Sequence, residues 1–91
     1  IESADNYICI WYQKGDILKK RLMRITMKDI SEQLTETNIV RCHRSYMINM
    51  DRVKVLRRDK EGVFIELGID GVADVPISRT YMNNITEWLM K

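Results

Sequence analysis

Tyr7-Ile-Cys-Ile-Trp-Tyr-Gln-Lys-Gly-Asp-Ile-Leu-Lys-Lys-Arg-Leu-Met-Arg24 contains two runs of aromatic and branched residues, 7 to 13 and 17 to 24, separated by Lys14-Gly15-Asp16. Strand formers on either side of so short a turn predict an antiparallel hairpin. The period then changes. In Thr26-Met-Lys-Asp29 the threonine and the acid three residues on form a helix-start signal, and Met27, Ile30 and Leu34 follow at helical spacing. That predicts a short helix over 27 to 34, with Lys28 in its first turn and off the apolar stripe.

Further along, Ile39-Val-Arg-Cys42 is extended, and Val53 to Leu56 and Val63 to Leu67 flank the turn signal Asp59 to Gly62 as a second hairpin. A last strand is predicted over 72 to 77. Its Pro76 cannot donate to a ladder and places it at an edge or a strand end. Ser78 then caps a closing helix whose Tyr81, Ile85, Trp88 and Leu89 share a face. The expected class is mainly β, about six strands in hairpins with two short helices.

Composition sets limits on this reading. The 91 residues are 45% hydrophobic and 31% charged, with one proline and four glycines, which describes a single ordered domain over residues 1–91 with a thin core. No stretch approaches the roughly 20 apolar residues of a membrane span, and no amino-terminal signal is present, so a cytoplasmic protein without membrane contact is expected. The first residues, Ile1-Glu2-Ser3, lack an initiator methionine, which reads as a domain excised from a longer chain with its upstream regulatory part absent. Cys9 and Cys42, with one histidine, are too few for a tetrahedral metal site. No cofactor or metal is expected. Cys9 reads as a small buried hydrophobe, whereas Cys42, between basic residues, is either a core residue or an activated thiol.

The net charge of +2 is unevenly spread: residues 1–60 carry 13 Lys/Arg against 8 Asp/Glu, and residues 61–91 carry 2 against 5. Scattered basic residues usually form a solvated face. Two stretches differ, because arginine is interleaved with hydroxyl residues: Arg41-Cys-His-Arg-Ser-Tyr46 and Pro76-Ile-Ser-Arg-Thr-Tyr81. Phosphate and base recognition uses that mixture of charge and donors. Neither predicted helix is long and basic enough to be a recognition helix, so DNA contact would fall to loops. A Cys42–His43 nucleophile and base fails, since adjacent strand residues point to opposite faces; no enzyme is expected. The alternative is a protein-interaction module using exposed hairpin edges.

Glu2-Ser-Ala-Asp-Asn-Tyr7, the helix bearing Lys28, Arg41-Cys-His-Arg-Ser-Tyr with Ile48-Asn49, and Val75-Pro-Ile-Ser-Arg-Thr-Tyr81 together resemble, in order, the signature blocks of the LytTR family, the DNA-binding output domains of bacterial response regulators. The departure is at the start, where the family has a strand leading into Ile-Glu-Ser. Only Ile1 of it is present, so the first sheet is expected to be incomplete. The resemblance implies stacked small antiparallel sheets, an elongated β-β-β sandwich, whose loops enter successive major grooves of double-stranded DNA, on paired direct repeats, under an upstream phosphorylated receiver domain. It also implies an isolated monomer that pairs on DNA.

Carried over by position, the resemblance makes Ser3 to Tyr7 the first contact loop, with Asn6 able to bind adenine bidentately. His43, Arg44 and Ser45 form the second contact, and Ser78 and Arg79 the third, Arg79 suited to guanine. Lys28 supplies a phosphate contact aided by its helix terminus. Arg44 is favoured over Arg41, which alternation sends in an offset direction. His43 has a competing reading as a ring fixing Tyr46 or a backbone group, and Tyr46 and Asn49 read as scaffold closing the loop.

Overall fold

A computed structural model describes residues 1–90. Eight strands and two helices follow in the order β1 (Glu2–Ala4), β2 (Tyr7–Lys14), β3 (Ile17–Met23), α1 (Met27–Gln33), β4 (Ile39–His43), β5 (Tyr46–Asn49), β6 (Val55–Asp59), β7 (Gly62–Glu66), β8 (Val75–Ile77) and α2 (Met82–Leu89). The predicted hairpin is β2–β3, paired from Ile8↔Met23 to Lys14↔Ile17 and turned at Gly15, whose φ of 63° suits a residue without a side chain. The sheets are a five-stranded one, ordered β3-β2-β1-β5-β4, and a three-stranded one, ordered β6-β7-β8. The mainly β, stacked antiparallel class holds, and Pro76 lies on the edge strand β8.

Two strands escape the sequence reading. Glu2–Ala4 is the middle strand of the larger sheet and not part of a loop, because Glu2, Ser3 and Ala4 pair with Cys9, Ile8 and Tyr7 while Glu2 also pairs with Tyr46. Tyr46–Asn49 is a strand, not loop closure: Ile39, Val40 and Arg41 pair with Asn49, Ile48 and Met47. The sheet is not frayed at Ile1, whose carbonyl accepts from the Met47 N–H at 2.8 Å. Beside Ile1 lies a groove of about 570 Å³, lined by Ile10 to Gln13 of β2 and Met47 to Asn49 of β5 together with Val72. The strands predicted over 53 to 56 and 72 to 77 settle as β6 and β8, and the first helix ends at Gln33, with Leu34 as its cap.

Alternation on β5 sorts the core into two parts. Met47 packs with Ile8, Met27 and Ile30 under α1, whereas its neighbour Ile48 packs with Cys42, Met50, Ile65, Ile77 and Ile85 toward the smaller sheet and α2. Consecutive strand residues point to opposite faces, so the five-stranded sheet is the middle of three layers. Each fully buried isoleucine contributes about 1.5–3 kcal/mol by leaving water.

Helix starts are handled differently at the two helices. Thr26 accepts the Asp29 N–H through its hydroxyl at 3.0 Å, as predicted. Ser78 does not cap with its side chain: its carbonyl accepts from the Tyr81 N–H at 3.1 Å, which closes a 3₁₀ turn over Arg79–Tyr81 before α2 begins at Met82. The later start rotates the expected face. Ile85 is buried and Trp88 half-buried, but Leu89 is 56% exposed, and Met82 packs against the core in its place.

Candidate nucleic-acid interface

The two hydroxyl- and arginine-rich clusters, distant in sequence, meet at the end of β4. The Ser78 N–H donates to the Cys42 carbonyl at 2.9 Å, and Asn84 Nδ2 donates to the Arg41 carbonyl at 3.0 Å. Those two bonds fix the start of the closing 3₁₀ turn and helix against the strand. On its other flank the β4–β5 turn is tied to β1, where the Ser3 N–H donates to the Ser45 carbonyl at 2.8 Å. Ser3 is thus a ladder residue, and the expected first contact loop shortens to the Asp5–Asn6 turn, with Asp5 in the left-handed region at φ 54°. Aspartate tolerates that region better than most residues.

The β4–β5 turn is shaped by a bulge. Pairing slips between Arg41↔Met47 and His43↔Tyr46, so Cys42 is an extra residue on its strand, and its side chain is buried. Burial pushes the Cys42 thiol up to about 11, and its Sγ lies 3.7 Å from the Tyr46 carbonyl. Cys42 is therefore a neutral core residue; Cys9 is buried too. His43 closes the turn by accepting the Ser45 N–H on Nδ1 at 3.1 Å, with its ring 5.3 Å from that of Tyr46. Asn49 accepts the Asp51 N–H at 3.0 Å and caps the 3₁₀ turn Met50–Arg52.

Among the expected contact residues, Asn6, Lys28, Arg44 and Arg79 are exposed, and His43, Ser45 and Ser78 are half-buried. Arg44 stands on the β4–β5 turn and Arg79 on the 3₁₀ turn bonded to that strand. Asn6 lies in a depression lined by Ser3, Asp5 to Ile8 and Arg24 to Met27 with Asp29, which places it beside the start of α1. Lys28 belongs to that same first turn. The helix terminus offers Lys28 little help with a phosphate, because Thr26 already takes the Asp29 N–H and the Asp5 and Asp29 carboxylates line the depression.

Among the described residues, exposed basic side chains without an ion pair stand at this end of the molecule as they do elsewhere, at Lys19, Arg21, Arg58 and Lys60 among others. Arg24, Lys28, Arg44 and Arg79 are exposed, and the ion pairs among the described residues all converge on Arg57 instead. Sequence reasoning ranks Arg41 below Arg44 and gives Asn84 no role, yet both residues join the elements of this site. Arg41 Nη2 donates to the Arg44 carbonyl at 2.9 Å, and its guanidinium sits 4.9 Å from the Tyr81 ring centre. Alternation marks Arg41 as offset, but no local signal announces a partner across half the chain.

A family model for the LytTr DNA-binding domain matches residues 1–90. The chain belongs to the LytTR family. This LytTR domain is also similar to an uncharacterized response regulatory protein of Vibrio cholerae serotype O1, 30% identical over 71 residues, which is 78% of this chain and 28% of that relative. The chain therefore spans under a third of the length of that relative. No solved structure matches. Among the described residues no helix is long and apolar enough to cross a membrane, and no group of His, Cys, Asp and Glu could hold a metal ion.

Proposed function

We propose that this LytTR domain reads double-stranded DNA by inserting the Asp5–Asn6, Arg44–Ser45 and Ser78–Arg79 turns into the major groove, as the output domain of a two-component response regulator. One observation carries the reading: main-chain bonds from Ser3 to Ser45 and from Ser78 to Cys42 tie the supports of the three turns together. Arg79 and Arg44 are the base readers, suited to the paired acceptors of guanine, and Asn6 suits adenine. His43, Ser45 and Ser78 position the turns or meet the backbone, and Lys28 contacts phosphate as a point charge. A lone arginine at a helix start opposes the helix dipole, which an anion at Arg79 would relieve. The likeness to a response regulatory protein supports transcription regulation within a phosphorelay and an upstream receiver domain in the parent chain. Paired direct repeats would bring together two copies that are monomers in isolation.

The test is selection of bound duplexes from a random pool at two salt concentrations. A recurrent motif is expected, with affinity falling about linearly in log salt and a slope set by the number of phosphate contacts. Enrichment of no motif would overturn sequence reading. A second reading, an interaction module built on hairpin edges, rests on exposed Trp11, Tyr12, Ile17 and Leu22 of the β2–β3 hairpin. It predicts a protein partner whose binding hardly responds to salt.

A further inference from the structure

Arg41 makes contacts that neither the DNA-binding reading nor the packing of the core uses. Its Nη2 holds the Arg44 carbonyl at 2.9 Å, and its guanidinium carbon lies 4.9 Å from the centre of the Tyr81 ring. Its own carbonyl accepts from Asn84 Nδ2 at 3.0 Å. One residue thereby touches the turn bearing Arg44, the 3₁₀ turn bearing Arg79 and the helix that follows. The side chain is half-buried, its Nε is fully buried without a partner, and the ion pairs among the described residues lie elsewhere, on Arg57. Taking a guanidinium partly out of water with no carboxylate beside it is unfavourable. A methionine could fill the same space without that cost, so the charge and the fork of donors have a use that packing does not supply.

The geometry of the fork suggests the use. Guanidinium donors lie in a fixed plane, so one hydrogen bond and one stacked ring together set both distance and angle between the groups they join. Arg44 itself is held at its carbonyl, which leaves its side chain free to point outward. We propose that Arg41 is a positioning residue that fixes the spacing between the Arg44 and Arg79 turns, so that both engage their bases together only while the strut is intact. This rests on the proposed role of Arg44 and Arg79 as base readers. Two arginines held in register reward a site that satisfies both; two that move independently reward each base separately, and discrimination against a site with the wrong spacing falls. Affinity for DNA of arbitrary sequence depends on phosphate contacts and is not affected.

The experiment compares the 91-residue protein with Arg41→Met, Arg41→Lys and Tyr81→Leu on its selected duplex, on single-base variants of that duplex, and on random duplex. Circular dichroism and the unfolding midpoint confirm that each variant is folded. Arg41→Met is expected to narrow the preference for selected over random duplex by about fivefold or more, a coupling effect of ordinary size. Binding to random duplex and the salt slope stay as in the parent. Arg41→Lys, which keeps the charge and loses the fork, narrows the preference in the same way, and Tyr81→Leu does so by removing the ring. In a double-mutant cycle, Arg44→Ala and Arg79→Ala are non-additive in the parent and additive in the Arg41→Met background.

Retention of the full preference in folded Arg41→Met overturns the proposal. So does weaker binding to every duplex with a salt slope shallower by about one, which marks Arg41 as a direct phosphate contact. If Arg41→Met does not fold, Arg41→Lys and Tyr81→Leu decide on the same criteria. Failure of the underlying reading looks different: Arg44→Ala and Arg79→Ala in the parent would then leave base preference unchanged, whatever Arg41 does.

Discussion

Arg57 lies half-buried on strand β6 and Arg79 on the 3₁₀ turn before α2, and the neighbourhoods of these two arginines are opposite. Arg57 is gripped by Asp59, Glu66 and Asp74 and lies 4.9 Å from the Phe64 ring centre, and hydrogen bonding to Asp74 first, with the nearby carboxylates, pushes its pKa up. Arg79 stands exposed on a 3₁₀ turn with no carboxylate paired to it among the described residues, as does Arg44 on the β4–β5 turn. An arginine with three acids has its ligand already and serves to lock the β6–β7 hairpin to the loop before β8. Arginines presented on rigid, hydrogen-bonded turns without counterions are available to something outside the chain. Clustering of positive charge in the sequence cannot distinguish the two cases, since Arg57 belongs to as basic a run as Arg44.

That contrast can be broken from below by removing the scaffold both ends share. Ile85→Ala and Ile65→Ala empty the core between the two sheets and α2 and are expected to cost about 2–5 kcal/mol, read as a lower denaturant midpoint with an unchanged slope. At the exposed end, Arg79→Ala should weaken binding to the selected duplex by about 1–3 kcal/mol and relax one base position, measured by fluorescence anisotropy over a panel of single-base variants. Unchanged affinity and preference would remove Arg79 from the site.

Alkaline titration probes the buried thiol between the two clusters. Because the folded pKa of Cys42 is raised from 9.0 to about 11, the native state holds its proton where the unfolded chain has lost it. The stabilisation is full below about 9 and is lost as pH rises through about 11, falling by at most about 1.4 kcal/mol per pH unit in that window. The difference in midpoint between the parent and Cys42→Ser should shrink across it. Lys28→Ala is expected to weaken all duplexes alike and to make the salt slope shallower by about 0.9, one phosphate contact. Arg57→Met should change DNA affinity least: the unfolding midpoint falls, and the binding isotherm superimposes on that of the parent.

The sequence discloses much of this architecture where its signals are local and strong. The β2–β3 hairpin is legible because two long strand-forming runs meet at a glycine turn, and α1 because Thr26 and Asp29 stand at capping distance ahead of an apolar stripe. Glu2–Ala4 is not legible, since three residues carry no periodicity and become a strand through partners on both sides. Tyr46–Asn49 is hidden by its turn, which uses a bulge at Cys42 where glycine or asparagine would have announced a hairpin. Ser78 misleads because a serine before a helix is a good cap in general, whereas here the backbone closes a 3₁₀ turn and the hydroxyl is buried without a partner. At the site, the residue types could be read; their convergence could not. Bonds such as Ser78 to Cys42 and Asn84 to Arg41 join segments that no local pattern relates.

The way Arg44 is held has a consequence for how binding preference could change over time. Arg41 grips its carbonyl, the Ser45 carbonyl accepts from the Ser3 main chain, and the Cys42 carbonyl accepts from the Ser78 main chain. None of these anchors involves the side chains at 6, 44 or 79. On the proposed reading, replacing those side chains would alter what is recognised while the frame presenting them is undisturbed, so a library randomised at these three positions should yield folded proteins with new operators. The platform and the side chains it presents are separable parts of the same turns.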